Sequence, residues 1–190
     1  MNLLVAFLLA LNIQTRTTAF ELKVQEARTY CKENQLNTDY CILIDMSVHS
    51  GKKRLHVINF KNDTIDHSAL VAHGCGSLNW GEDESKETPV FSNTNDSHLT
   101  SLGKYRIGKR GKSNWGIYIN YKLHGLDSTN SNAYKRVIVL HGWDAIQDEE
   151  QFPLGSPEGY GCPAVSNETM RYLDRKLKTK KKDVLMWIYK

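Results

Sequence analysis

At 190 residues, with 40% hydrophobic and 24% charged residues, the chain has room for one domain with a real core and too little for two comfortable ones. The formal net charge of +4 is mild. The late lysines Lys176, Lys178, Lys180, Lys181 and Lys182 have no aromatic residues between them, which argues against a nucleic-acid surface.

The first element is not part of the expected fold. Residues 3–11 form an unbroken apolar run too short to span a bilayer, and polar residues then lead to Thr17-Thr18-Ala19, a small-residue cleavage site before Phe20. Residues 1–19 therefore read as a signal peptide and residues 20–190 as the mature domain. No later segment is apolar enough for stable membrane insertion. The expectation is an exported protein, periplasmic or extracellular and associated with the cell wall. In an oxidising compartment Cys31 and Cys41, close in sequence, can pair, leaving Cys75 and Cys162 in glycine-rich turns. Two disulfides in any of three connectivities are equally open at this point.

Along the mature chain, Leu22, Val24 and Ala27 among charges predict an amphipathic helix over 21–35. Strands are predicted over 40–46, 54–60 and 65–72, separated by turns, as an antiparallel meander. Residues 92–101 read as a polar loop. The alternating run 116–123 predicts a strand, and the β-branched run 136–140 predicts another that ends at His141. Residues 144–159 form a long acidic-to-glycine loop. Ser166 caps a helix with Met170, Leu173 and Leu177 on one face, and residues 184–189 close the chain as a strand. The fold class is mainly β (α+β), one domain with two flanking helices.

The chemistry concentrates in Gly159-Tyr160-Gly161-Cys162-Pro163-Ala164-Val165 and, upstream, Val139-Leu140-His141-Gly142. A cysteine between glycine and proline sits on a tight turn where little but backbone crowds its sulfur. A histidine at a strand end is held by the sheet. Together they have the makings of a thiol nucleophile and its base, and backbone N–H groups of Tyr160, Gly161 and Cys162 are placed to face an oxyanion. The bland reading makes Cys162 a small apolar residue and His141 a satisfied strand-end histidine.

The wider string favours the chemical reading. Val71-Ala72-His73-Gly74-Cys75-Gly76-Ser77, Phe91-Ser92-Asn93, Ser101-Leu102-Gly103-Lys104-Tyr105, His124-Gly125-Leu126 and Arg136-Val137-Ile138-Val139-Leu140-His141-Gly142 precede the cysteine block in order. This series resembles the murein L,D-transpeptidases of the YkuD-like superfamily, in the branch called the murein L,D-transpeptidase catalytic-domain family. The resemblance runs from about Asp39 to Tyr189. It implies an L,D-transpeptidase-like mixed β-sandwich or barrel, with Cys162 as nucleophile, His141 as base and the Gly142 carbonyl as orienter. Tyr160 and Gly161 would supply oxyanion N–H groups, and His73, Ser101, Gly103 and Tyr105 would line the substrate cleft. The implied partners are peptidoglycan stem peptides, donor and acceptor, with no cofactor and no metal. Two departures stand out. Tyr160 replaces the superfamily's usual histidine, as in the aromatic-bearing branch, and Gly159 replaces a usual serine.

Three other readings stay open. One is an L,D-carboxypeptidase using the same Cys–His site. Another is a zinc site from His73, Cys75, His141 and Cys162. The third is a disulfide-stapled wall-binding protein, in which Cys162 would be oxidised. Trp80, Trp115 and Trp143 neighbour the motifs, where groove lining and core packing explain them equally well.

Overall fold

The computed structural model describes residues 18–190, so the expected leader lies outside the described residues apart from Thr18 and Ala19. Thr18 caps α1 (Ala19–Glu33): its hydroxyl accepts the Glu21 N–H while the Glu21 carboxylate accepts the Thr18 N–H. This reciprocal capping box satisfies two otherwise orphaned donors at the helix start.

Eight strands follow: β1 (Tyr40–Asp45), β2 (Leu55–Asn59), β3 (Thr64–Ala69), β4 (Gly103–Lys112), β5 (Ile119–Gly125), β6 (Val139–Gly142), β7 (Ala164–Val165) and β8 (Val184–Tyr189). α2 (Asn167–Leu177) lies between β7 and β8, and a single 3₁₀ turn spans Ser128–Asn130. The strands form one mixed sheet in the order β3-β2-β1-β8-β4-β5-β6-β7. The β1–β8 and β6–β7 pairs are parallel, and the rest are antiparallel. β1, β2 and β3 are the expected meander.

Side-chain alternation explains why both faces of the central strands are covered. In β1, Ile42 and Ile44 join the main core, whereas Cys41 and Leu43 join a second cluster with Ala27 and Cys31 of α1. In β8, Val184, Met186 and Ile188 face the main core and Leu185 faces the second cluster. Met170, Leu173 and Leu177 of α2 close the main core, as their helical spacing predicts. The mainly-β architecture with two helices agrees with the expectation.

The boundaries differ where turns intervene. The strand expected over 116–123 begins only at Ile119, because Gly116 and Tyr118 take positive φ in a turn. That expected over 136–140 begins at Val139, after Val137 at φ 59, and carries His141 inside it. The ten-residue β4 falls partly on a segment expected to line a cleft. Its sequence, rich in glycine and charge, has weak strand propensity, and pairing with β8 and β5 imposes the extended form. The four cysteines are free thiols, so the Cys31–Cys41 pairing that the sequence left open is not formed. Both sulfurs serve as small apolar groups beneath α1, where burial pushes the Cys31 thiol up to about 12.

Candidate active site

The parallel pairing of β6 with β7 brings the two motifs together. His141 lies beside Ala164 and Gly142 beside Val165. Two residues before Ala164, Cys162 comes alongside Val139, whose N–H donates to Sγ at 3.4 Å. Cys162 and His141 line the same cavity of about 410 Å³, together with Trp80, Trp115, Trp143, Gly159, Tyr160 and Ala164.

The turn carrying Cys162 depends on glycine. Gly161 has φ +92, and a Cβ there would lie 2.5 Å from the Leu99 carbonyl oxygen. Its own carbonyl accepts the Thr100 hydroxyl at 3.4 Å. Both the dihedral and the close backbone approach exclude a side chain. Gly161→Ala is therefore expected to cost at least about 1–3 kcal/mol of stability, read as a lowered denaturant midpoint. An unchanged midpoint would mean that the turn relaxes freely.

His141 is oriented by backbone. Its Nδ1 is 2.8 Å from the Gly142 carbonyl oxygen. A carbonyl only accepts, so the ring proton sits on Nδ1 and Nε2 keeps a basic lone pair. Gly116, at φ +58, presses against that same carbonyl group: a Cβ there would lie 2.5 Å from the Gly142 oxygen. Burial lowers the His141 pKa below the ordinary histidine value, only partly opposed by the Gly142 bond. Burial raises the Cys162 thiol, against the Val139 N–H and the positive charges of Arg136 and Lys122. These directions favour a neutral thiol and neutral imidazole at rest. Such a pair can react by passing the sulfur proton to the imidazole as a sulfur–carbon bond forms.

One wall of the cavity is aromatic. The Trp80 ring lies 5.1 Å from Trp143, 5.9 Å from Trp115 and 6.3 Å from Tyr160, centroid to centroid. Trp80, Trp115 and Tyr160 are about half exposed. The geometry favours the groove reading for Trp80 and Trp115, whereas Trp143 lines the cavity from a small core cluster with Leu70, Ala72, Ile146 and Ala164.

His73, Ser101, Gly103 and Tyr105, expected in the cleft, are all buried and absent from that cavity lining. Gly103 opens β4, and the Tyr105 hydroxyl, inside the core, donates to the Ser101 carbonyl at 2.6 Å. Ser101 accepts from Arg136 at 2.7 Å and donates to the Ser92 carbonyl at 2.8 Å. His73 is fully buried, with Nδ1 2.8 Å from the Arg54 guanidinium and Nε2 2.7 Å from the Ser85 hydroxyl. Its two ring nitrogens are both engaged, which leaves no lone pair for zinc. No group of three or more metal-type ligands occurs among the described residues.

Some structural contributors were not legible in the sequence. Arg136 ties down the loop over 92–101, donating to the carbonyls of Ser92 and Leu99 and to the hydroxyls of Ser97 and Ser101. Glu158, adjoining the cysteine block, and Arg54 are both completely buried. Nothing in their neighbourhoods marks a charged residue as interior.

Residues 12–189 match the family described as L,D-transpeptidase catalytic domain. No curated protein sequence matches closely enough to count as a relative. Among solved structures, an L,D-transpeptidase from Xylanimonas cellulosilytica is similar over 85% of this chain and 68% of its own, with 11% identity and a TM-score of 0.45. The helical cell shape determining protein Pgp2 from Campylobacter jejuni is similar over 80% of this chain and 47% of its own, with 12% identity and a TM-score of 0.49. An Enterococcus faecium L,D-transpeptidase mutant is similar over 80% and 50%, with 9% identity and a TM-score of 0.46. The chain thus spans about half the length of the latter two. By the match over nearly its whole length, the chain belongs to the L,D-transpeptidase catalytic domain family.

Proposed function

We propose that this protein is an exported cysteine acyltransferase that acts on peptidoglycan stem peptides through a Cys162 thioester. The observation that carries the proposal is the shared cavity of Cys162 and His141, with the imidazole held in its basic tautomer by Gly142. In this reading, His141 Nε2 takes the Cys162 proton as Sγ attacks the carbonyl of the L-to-D bond. The oxyanion is met by the backbone N–H groups of Tyr160 and Gly161, a type of contact worth roughly 3–4 kcal/mol of barrier. Collapse breaks the carbon–nitrogen bond, and His141 returns the proton to the departing D-residue amine. The thioester is then attacked by an amine of a second stem, which loses its proton to His141; the carbon–sulfur bond breaks, His141 returns that proton to Sγ, and a cross-link is left. Attack by water instead trims the stem, which is the carboxypeptidase outcome of the same site. No metal or cofactor enters any step.

The test is intact-protein mass spectrometry after incubation with a disaccharide tetrapeptide, and separately with a carbapenem. The expected result is a covalent adduct on Cys162 and release of the terminal D-residue, with the products dividing cross-linking from trimming. Absence of any adduct on a folded protein with a titratable Cys162 thiol would overturn the proposal.

A further inference from the structure

Behind the Cys162 turn lies a chain of buried polar groups that the steps above do not use. Arg54, His73 and Glu158 have no exposed surface, and Ser85 is nearly as buried. A guanidinium only donates, so the Arg54 Nη2 contact of 2.8 Å makes His73 Nδ1 an acceptor and puts the ring proton on Nε2. That proton faces the Ser85 hydroxyl oxygen at 2.7 Å. The Ser85 hydroxyl donates in turn to Glu158 Oε1 at 3.0 Å, and the Ser85 N–H donates to the same oxygen at 2.6 Å. Each proton has one place, and a buried cation and a buried carboxylate are joined across a neutral imidazole. Glu158 Oε2 has no partner among the described residues.

The backbones of the same residues grip the turn. The Gly159 N–H donates to the His73 carbonyl, and the Cys75 N–H donates to the Gly159 carbonyl, both at 2.8 Å. The Glu158 N–H donates to Glu82 at 2.8 Å, and the Glu158 carbonyl accepts from Gly81 at 2.9 Å. Gly159, Tyr160 and Cys162 then enter the cavity wall directly. Stability alone is a poor reason for this arrangement. A buried ion pair is usually matched or exceeded in stability by apolar residues of similar volume, and a carboxylate oxygen without a partner adds to the burial cost. Hydrogen bonds of fixed direction do what apolar packing does not: they set the angle at which the next residues leave.

We propose that Glu158, held through Ser85 and His73 by Arg54, is a positioning residue that fixes the Tyr160-Gly161-Cys162 turn, and with it the thiol and the oxyanion N–H groups. The inference rests on the reading of Cys162 as nucleophile. It gives His73 a role behind the turn instead of one in the cleft.

The test compares the full-length protein with Glu158→Ala, Glu158→Gln and Ser85→Ala. Glutamine retains an acceptor for the Ser85 N–H and hydroxyl, alanine does not, and Ser85→Ala cuts only the hydroxyl link. Two readouts are taken on the folded fraction of each. One is kcat and KM on a disaccharide tetrapeptide. The other is the pH profile of Cys162 alkylation by iodoacetamide, with Cys162→Ala as blank. For Glu158→Ala the expected result is a kcat at least about tenfold lower with KM within about twofold, since small misplacements of reacting groups are costly. The alkylation midpoint should fall toward that of an ordinary thiol as the turn loosens under the charges of Arg136 and Lys122. Glu158→Gln should recover most of the kcat, and Ser85→Ala should lose about threefold. A wild-type kcat and alkylation midpoint in folded Glu158→Ala would overturn the proposal. If Glu158→Ala does not fold, the same two wild-type values in Ser85→Ala overturn it. The alkylation readout needs no peptidoglycan substrate. A shifted midpoint with no turnover by the wild type would therefore sink the acyltransferase reading and leave the positioning role standing.

Discussion

Cys162→Ala is expected to lower turnover of a disaccharide tetrapeptide by at least about a thousandfold, because removing a nucleophile leaves only binding and oxyanion contacts to catalyse. The fold should survive. The lost atoms come from a partly exposed side chain whose main polar contact is a 3.4 Å bond from the Val139 N–H, worth about 1 kcal/mol. The measurement is steady-state release of the D-residue beside a circular-dichroism melt. Near-normal turnover with an unchanged melt would remove Cys162 from the chemistry. Loss of turnover with a collapsed melt would say only that the turn is structural, and Cys162→Ser would then serve as the near-isosteric comparison.

His141→Ala should lower the acylation rate by about a hundredfold to ten-thousandfold, the usual worth of a positioned general base. The pH profile of the wild type gives a sharper reading. A base must be neutral to act, and burial holds the His141 pKa below 6.5. The acid limb should therefore have its midpoint below that value, with the rate lost as pH falls through it. Because burial holds the thiol above its ordinary range, no second rise is expected between that midpoint and pH 8. In His141→Ala the acid limb should vanish and the residual rate should climb with pH as free thiolate forms. A wild-type limb retained in that variant would mean that another group is the base.

The distribution of legible and illegible features has a physical pattern. The central strands and α2 could be read because apolar periodicity records which face meets the core, as in Ile42, Ile44, Met170 and Leu173. The turn at Cys162 could be read because a positive-φ glycine and a proline flank the cysteine, whereas His141 lies inside β6 and not at its end. β4 was hidden because its strand form comes from its neighbours, and a run such as Gly-Lys-Arg-Gly-Lys carries almost no periodic signal. The four residues expected in the cleft, His73, Ser101, Gly103 and Tyr105, are buried and do not line the cavity that holds Cys162. Sequence does not say which residues near a motif face a cavity and which face the core, and His73 and Tyr105 face inward. Arg54 and Glu158 show the same limit, since a charge whose partners lie far along the chain looks like any surface charge.

The place of β8 has a consequence for how the protein is made. Residues 184–189 lie between β1 and β4, with Ile42 paired to Met186 and Tyr105 paired to the same residue from the other side. The β1–β3 meander and the β4–β7 half that carries Cys162 and His141 are thus joined in one sheet only through a strand synthesised after both. Closing so long a loop is slow and comes late, because its entropy must be lost before the pairing rewards it. Until β8 emerges, the chain can hold only two incomplete half-sheets. A polypeptide with this topology completes its sheet only at the end of its synthesis, so its two halves come into register only once the whole domain is present.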